Sequence, residues 1–563
     1  MLPTTKDDAD LKGTPKRTAP TSRGSSAYSR KRAVIACQVC RARRTKCDQK
    51  KPTCSFCESI GAECVSDPPA LSAFDPASLA IIERLQRLER EFTRFTNSSI
   101  PRELSYQQPF SVGRLPRISY QNLDQILKWP VFQHARLSVS PQAQSCSSPS
   151  GVFYGGAEGF SRVTGNVLDG VPIFDLVHRF FTHVHSRNPI LDEGEIRALA
   201  QEIQDRGIGW DTKSALILLV LANGALGHPL PTQAHSEKVF ERDQATALFL
   251  AAEQRLGYAV ASAGIMQAQC LFLAGVFLMS SLRPFDAWRM FLQALAMCRT
   301  FKRALTYDVT DTLAAGSVSC SAWKSERELC RELWTLPDRA SFSHEHLHQF
   351  PNLPTDCEGE NLYIWYFYLS EISAWRLGTR VEEEMTRFAI EGRGSLVDLT
   401  EIADSLMDQA VEWQNSLALE VSTSHDENDS DMLRLILRAR IAYVQDMISW
   451  PFVYALIHDG AEPESPKVCE WAAKGLSCHL HKLLMHRIQF YHRHHGTWLM
   501  IRSCARSASI LLAATRRPFA QRLLPAEWRG PVEATLKMLQ FWQPYVKELQ
   551  EAVECIQALY SQL

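Results

Sequence analysis

Six cysteines between residues 37 and 64 are the densest chemistry in the chain. The segment CQVCRARRTKCDQKKPTCSFCESIGAEC places Cys37, Cys40, Cys47, Cys54, Cys57 and Cys64 in the order C-x2-C-x6-C-x6-C-x2-C-x6-C. Each half is C-x2-C-x6-C, so the pattern repeats itself. A C-x2-C pair lets two thiolates bind one metal ion from a single turn, and a third cysteine a helical turn or two later can return to the same ion. Six thiolates exceed one tetrahedral zinc and fall short of two separate ones, unless two sulfurs are shared. A pair of Zn²⁺ ions with two shared sulfurs satisfies the count. An all-sulfur shell leaves no open position for water or substrate, which makes such a metal structural.

The chain has sixteen cysteines in all. The opening MLPTTKDDAD is polar and carries no apolar run before a small-residue cleavage site, so no secretory signal is expected and the compartment is read as reducing. Thiols there are metal ligands or small buried hydrophobes before they are disulfides. The cysteines from Cys146 to Cys555 are scattered singly and fit the buried reading. Iron–sulfur proteins use other spacings, and the compartment disfavours a disulfide knot. A zinc module that binds protein stays open beside one that binds DNA.

The formal net charge of the whole chain is −1, so affinity for nucleic acid has to come from a local basic cluster. Arg41, Arg43, Arg44 and Lys46 lie between the second and third cysteines, with Arg30, Lys31 and Arg32 before the module, Lys50 and Lys51 after, and Asp48 the one acid among them. Such a block suits phosphate contacts whose strength falls with salt, and also offsets the net negative charge of six thiolates around two Zn²⁺. A solvated basic face or a nuclear-import signal is the plainer reading, and import and DNA contact are expected to coexist.

The cysteine spacing and its intervening residues resemble the zinc binuclear cluster family of fungal transcription factors, with Pro52 where that family has its loop proline. The resemblance implies that Cys37 and Cys54 bridge the two zincs, with Cys40, Cys47, Cys57 and Cys64 terminal. It also implies that the basic segment is a short helix entering the major groove over a C/G-rich triplet, with Arg43 and Arg44 as the family's basic pair. A guanidinium can donate two hydrogen bonds to guanine O6 and N7. Arg44 is therefore assigned to base contact, and Arg41, Lys46, Lys50 and Lys51 to phosphates.

Around this module the sequence reads as mostly α. Residues 1–32 are a polar, basic arm of disordered composition, 33–67 the zinc binuclear cluster domain, and 68–78 a linker beginning with Pro68-Pro69. In 79–96 the residues Ile81, Leu85, Leu88, Phe92 and Phe95 recur at three and four. That is the a/d rhythm of a short dimerisation coiled coil, with Arg84 and Glu89 at g and e, although a helix this short can instead pack on its own chain. Residues 97–170 read as a mostly disordered linker. Residues 171–563 carry apolar positions at helical spacing and read as a large all-helical regulatory domain.

Five features of that last region carry expectations. The apolar stretches 215–226 and 268–282 are interrupted by polar or small residues and are shorter than a membrane span, so both are read as buried helices. No phosphate loop, nucleophile elbow, HExxH or dinucleotide fingerprint is found, so the chain is not read as an enzyme. The histidines at 479, 481, 486, 492, 494 and 495 place no clean ligand set on one helical face and read as structural or solvated. SHDENDSD at 424–431 reads as a solvated loop. Segments at 180–191, 271–301, 323–337, 365–377 and 492–498 resemble the family's middle homology region, which implies a helical domain that modulates activation or receives a signal.

The expectation is a nuclear, sequence-specific regulator of RNA polymerase II transcription with two structural Zn²⁺ per chain. It would bind double-stranded DNA with CGG-like half-sites as a homodimer, engage transcription machinery or coregulators, and have no membrane partner. Control of metabolic or secondary-metabolite genes is implied by the resemblance alone. The alternative is a zinc-stabilised nuclear interaction protein or corepressor without sequence-specific DNA binding.

Overall fold

The computed structural model describes residues 37, 39–40, 43, 45–48, 50–64, 120–137, 167–230, 239–261, 264–304, 309–333, 360–391, 394–423, 431–458 and 465–563. The chain divides into two compact units, Met1–Pro109 and Phe110–Leu563. Among the described residues the elements are helices and no strand occurs, as a mostly-α chain should show. The arm 1–32 and the coiled-coil residues Ile81, Leu85, Leu88, Phe92 and Phe95 lie outside the described residues.

The first unit contains helix α1 (Ser55–Ser59). The second opens with α2 (Leu123–Ile126) and α3 (Pro130–Leu137), followed by α4 (Ile173–His183), α5 (Glu193–Arg206), α6 (Thr212–Leu226), α7 (Val239–Glu253) and α8 (Leu256–Ala261). The long helices α9 (Ile265–Ser280), α10 (Pro284–Ala304), α11 (Val309–Glu332), α12 (Glu360–Glu391) and α13 (Leu396–Asn415) come next. The chain ends in α14 (Met432–His458), α15 (Pro466–His486), α16 (Thr497–Ala514), α17 (Pro518–Arg522), α18 (Arg529–Trp542) and α19 (Leu549–Tyr560).

Local chemistry sets these boundaries. Asp192 and Asp211 accept from the backbone N–H groups of Glu195 and Ser214 to cap α5 and α6, and Ser395 with Asp398 forms a capping box on α13. Gly207, at φ 84, ends α5 in a conformation that side chains resist. Ala215–Ala222 of α6 and Ala268–Met279 of α9 are buried at every position, which agrees with the buried-helix reading. No described helix is long and apolar enough to cross a membrane. Gly224 permits close packing of α6 on α4, since a Cβ there would sit 2.1 Å from the Leu176 carbonyl oxygen.

The stretch 97–170, read as mostly linker, contains α2 and α3. Leu123, Ile126, Trp129 and Phe132 are buried, and Trp129 stacks on Trp450 with ring centroids 6.1 Å apart. The two helices are too short for a periodic signal, and Pro130 starts the second where the pattern would be sought. Asp431, at the end of the acidic run, is likewise not merely solvated: it accepts from the N–H groups of Leu433 and Arg434 at the start of α14 and from the Tyr363 hydroxyl at 2.7 Å.

Asp446, fully buried on α14, joins four segments. It accepts from Lys482 Nζ of α15 at 2.7 Å, Arg506 Nη1 of α16 at 2.5 Å and the Tyr120 hydroxyl at 3.2 Å. Burial alone would raise its pKa, but the Arg506 and Lys482 charges outweigh that and hold it well below the usual carboxylate range. Asp446→Ala leaves two buried cations facing each other and is expected to cost about 3–5 kcal/mol, read as a lowered thermal midpoint of the helical unit.

The pH dependence has a definite sign. Burial lowers His479 and His486 to about 3, and His185 and His458 to about 4, from 6.5. A depressed folded pKa means that the unfolded chain binds more protons, so stability is complete above pH 6.5 and is lost as pH falls toward 4, with Asp446 adding its loss below that. Thermal midpoints measured from pH 7.5 down to pH 4 should decline steadily below 6.5, and a flat profile would contradict this.

Candidate metal centre and nucleic-acid interface

The two halves of the cysteine segment fold alike. The Cys40 N–H points to Cys37 Sγ and the Cys57 N–H to Cys54 Sγ, both at 3.5 Å. Thr45 N donates to the Cys40 carbonyl and Ala62 N to the Cys57 carbonyl, both at 3.0 Å, while Arg43 N reaches Val39 O and Ile60 N reaches Phe56 O. Every partner in the second half lies 17 residues after its counterpart, the separation of Cys37 and Cys54. In each half the first cysteine precedes a helical turn whose free N–H groups point at its sulfur, as at any helix N-terminus.

The sulfurs converge. Cys37 Sγ lies 3.8 Å from Cys54 Sγ and 3.6 Å from Cys57 Sγ, and Cys40 Sγ lies 3.6 Å from Cys54 Sγ. Cys40 interacts with Cys37, Cys54 and Cys47, whereas Cys57 interacts with Cys37, Cys54 and Cys64. Cys37 and Cys54 therefore border both groups of sulfurs.

The donor set fits a metal. The backbone N–H groups of Cys40 and Cys57 lower the pKa of Cys37 and Cys54, while burial pushes Cys40 up to about 12 and raises Cys57 as well. Packed thiols of this kind lose their protons to a coordinated cation, which removes the desolvation penalty and the sulfur–sulfur repulsion together. Cys47, Asp48 and Cys54 also offer three ligand atoms within 4.8 Å of one another. Both Asp48 oxygens are engaged, however, Oδ1 by the Ser55 N–H at 3.0 Å and Oδ2 by the Ser55 hydroxyl, and these bonds hold its pKa low. Asp48 thus ties the first half of the segment to the start of α1. The sequence showed it only as a lone acid in a basic run, and its spacing to a serine at a helix start was the available signal.

Arg43, Lys46, Lys50 and Lys51 are exposed, and the Lys51–Pro52 peptide is cis. Arg41 and Arg44 lie outside the described residues. No described member of the basic set is tied up in a salt bridge within the cysteine unit, so each is presented to solvent.

Comparison with known proteins agrees with this geometry. Residues 35–72 match the fungal Zn(2)-Cys(6) binuclear cluster domain. The chain therefore carries a zinc cluster domain of that class, whose six cysteines bind two zinc ions. Oleate-activated transcription factor 1 of Saccharomyces cerevisiae is 40% identical over 73 residues, covering 12% of this chain and 7% of that protein. The Zn(2)-C6 fungal-type transcription factor afumD of Aspergillus fumigatus is 36% identical over 86 residues, 13% of this chain and 23% of the relative. Putative transcription factor ecdB of Aspergillus rugulosus is 47% identical over 45 residues, 7% of this chain and 8% of the relative. The matches thus span less than a quarter of these relatives.

Metal removal should separate the two classes of thiol. With a chelator at neutral pH, Cys37, Cys40, Cys47, Cys54, Cys57 and Cys64 should become reactive toward an alkylating agent, while buried Cys270 and Cys504 stay protected. Peptide mass spectrometry reads this directly. Equal labelling of the six with and without chelator would contradict a metal-held fold.

Proposed function

We propose that the protein is a nuclear, sequence-specific DNA-binding regulator of transcription that reads CGG-type triplets through the segment between Cys40 and Cys54. What carries the reading is the repeated, converging sulfur geometry with exposed cations around it: Cys37 and Cys54 border both sulfur groups, and Arg43, Lys46, Lys50 and Lys51 are solvent-facing. The zinc relatives, which are named as transcription factors or regulators, support it.

In this reading Cys37 and Cys54 bridge, and Cys40, Cys47, Cys57 and Cys64 are terminal ligands. When bound, the two Zn²⁺ supply no reaction chemistry and hold the fold closed. Arg44 contacts guanine, and Arg41, Arg43, Lys46, Lys50 and Lys51 serve the backbone of the duplex or the base edge. Such phosphate contacts position the domain, and the base contact specifies the site. One triplet carries little information, so pairing through Ile81, Leu85, Leu88, Phe92 and Phe95 in 79–96 would bring two half-sites under one homodimer, with 68–78 setting their spacing. Residues 171–563 would then form the regulatory domain that meets coregulators.

Binding to a CGG-containing duplex and to a scrambled one, titrated with salt, tests this. Arg44→Ala should cost about 1–3 kcal/mol on the CGG duplex and little on the scrambled one, whereas Lys51→Ala should weaken both equally and lower the salt slope by about one. Absence of any preference for CGG in the unaltered protein at moderate salt would favour the corepressor reading instead.

A further inference from the structure

The helical unit encloses a cavity of about 190 Å³. Arg187, Lys324, Trp375 and His495 all border it, one from each of four segments that the sequence had singled out at 180–191, 323–337, 365–377 and 492–498. Helices α11, α12 and α14 supply most of its wall, and α16 adds Leu499 and Met500. An engineered dry cavity of about 150 Å³ is enough to admit benzene, so this one has room for a small organic molecule.

Its charges do not cancel. Lys324 pairs with Glu371, Glu371 with Arg440 Nη2 at 2.9 Å, and Arg440 Nη1 with Glu328 at 2.5 Å, a chain in which two cations meet two carboxylates. Lys482 is held by Asp446, and Arg331 by Glu382. Arg187 makes no ion pair among the described residues, although the Glu371 charge lies near enough to favour its cationic form. It is 5% exposed, its Nε has no partner, and its side-chain hydrogen bond among the described residues is from Nη1 to His495 Nδ1 at 3.4 Å. Because the guanidinium can only donate, His495 accepts at Nδ1 and carries its proton on Nε2. Burial lowers the Arg187 pKa only to about 10, so at neutral pH it is a cation.

Other donors on the same wall also lack acceptors. Arg331 Nε and Trp375 Nε1 are buried without a hydrogen-bond partner. Buried donors left unmade are costly, more so when charged, so a cluster of them beside a cavity points to a missing acceptor. The rest of the wall mixes apolar side chains, Phe367, Leu435, Leu499 and Met500 among them, with polar ones such as Asn188, Glu332 and Gln489. A buried cation with no ion pair among the described residues, unfilled donors and an apolar patch describe a complement to a monoanion with a compact apolar body.

We propose that this cavity binds a small monocarboxylic acid, its carboxylate paired with Arg187 and its aromatic or branched aliphatic body packed beside Trp375, Leu499 and Met500. A phosphate dianion fits less well, since Glu328 and Glu371 border the same space. Occupancy neutralises Arg187 and adds packing among helices that are otherwise joined by ion pairs, so it stabilises the helical unit. That gives this part of the chain a way to register the level of an organic acid.

The test uses the zinc-loaded full-length protein with benzoate, 3-phenylpropionate and 4-methylvalerate as probes, and benzamide and inorganic phosphate as controls. Calorimetry and thermal unfolding should show one site per chain and a raised midpoint for at least one of the acids, with benzamide and phosphate about tenfold weaker or worse. Arg187→Met should weaken the acid about tenfold or more, and Arg187→Lys should recover part of the loss. Leu499→Trp, which fills the cavity and leaves Arg187 in place, should abolish binding even if Arg187→Met folds poorly. No shift with any of the three acids at about 10 mM, or equal binding by Leu499→Trp, overturns the proposal. Because the readout is ligand binding and not DNA affinity, it stands or falls apart from the transcriptional reading.

Discussion

Among its described residues the first unit has almost no hydrophobic core to fold around. Its buried cluster among the described residues is Cys37, Cys40, Cys54 and Cys57, with only Val39 and Phe56 as partly buried apolar side chains beside them and the other cysteines. A segment of that size cannot offset its conformational entropy by burying carbon, and metal–sulfur bonds take the place of the core. The free energy of metal binding is then free energy of folding. Everything presented to solvent by this unit, including Arg43 and Lys46, keeps its position only while the sulfurs are held together.

The helical unit solves the same problem in the opposite way. Its core is large, with Trp450, Trp471, Trp498 and Trp542 fully buried, and many of its polar groups are taken inside and hydrogen-bonded there. Trp542 donates to the Phe490 carbonyl at 2.7 Å, and Gln269 to the Ile190 carbonyl at 2.7 Å. Buried ions follow the same rule: Arg502 meets Asp124 and Glu332, and Asp446 meets Lys482 and Arg506. Such pairs add little net stability over an apolar core, but each is costly to break singly, which fixes how the helices meet. Around the cavity, at Arg187, Arg331 and Trp375, that satisfaction is incomplete.

Residue chemistry made some of this legible and hid the rest. The metal centre was readable because ligand type and spacing are local: six cysteines count to two zincs without any tertiary information. The buried α6 and α9 were readable from apolar runs broken only by small or single polar residues and too short to span a membrane. Helices α2 and α3 were not, being too short for a period to emerge, and their stability comes from contacts such as Trp129 on Trp450 made across the whole unit. Asp48 looked like a stray acid, because its bond to Ser55 depends on a turn between them. The histidines 479–495 read as structural, and the fold places His479 against Asp446 at 3.6 Å and buries His492, yet it also sets His494 and His495 on a cavity wall that no sequence spacing could assemble.

The central claim is that six thiolates sharing two metal ions replace a core in residues 37–64. Zinc K-edge X-ray absorption on the purified protein, together with metal quantification, tests it most directly. The expected result is two zincs per chain, an all-sulfur first shell at about 2.3 Å and a zinc–zinc scattering path. One zinc per chain, or nitrogen and oxygen in the first shell, would contradict it.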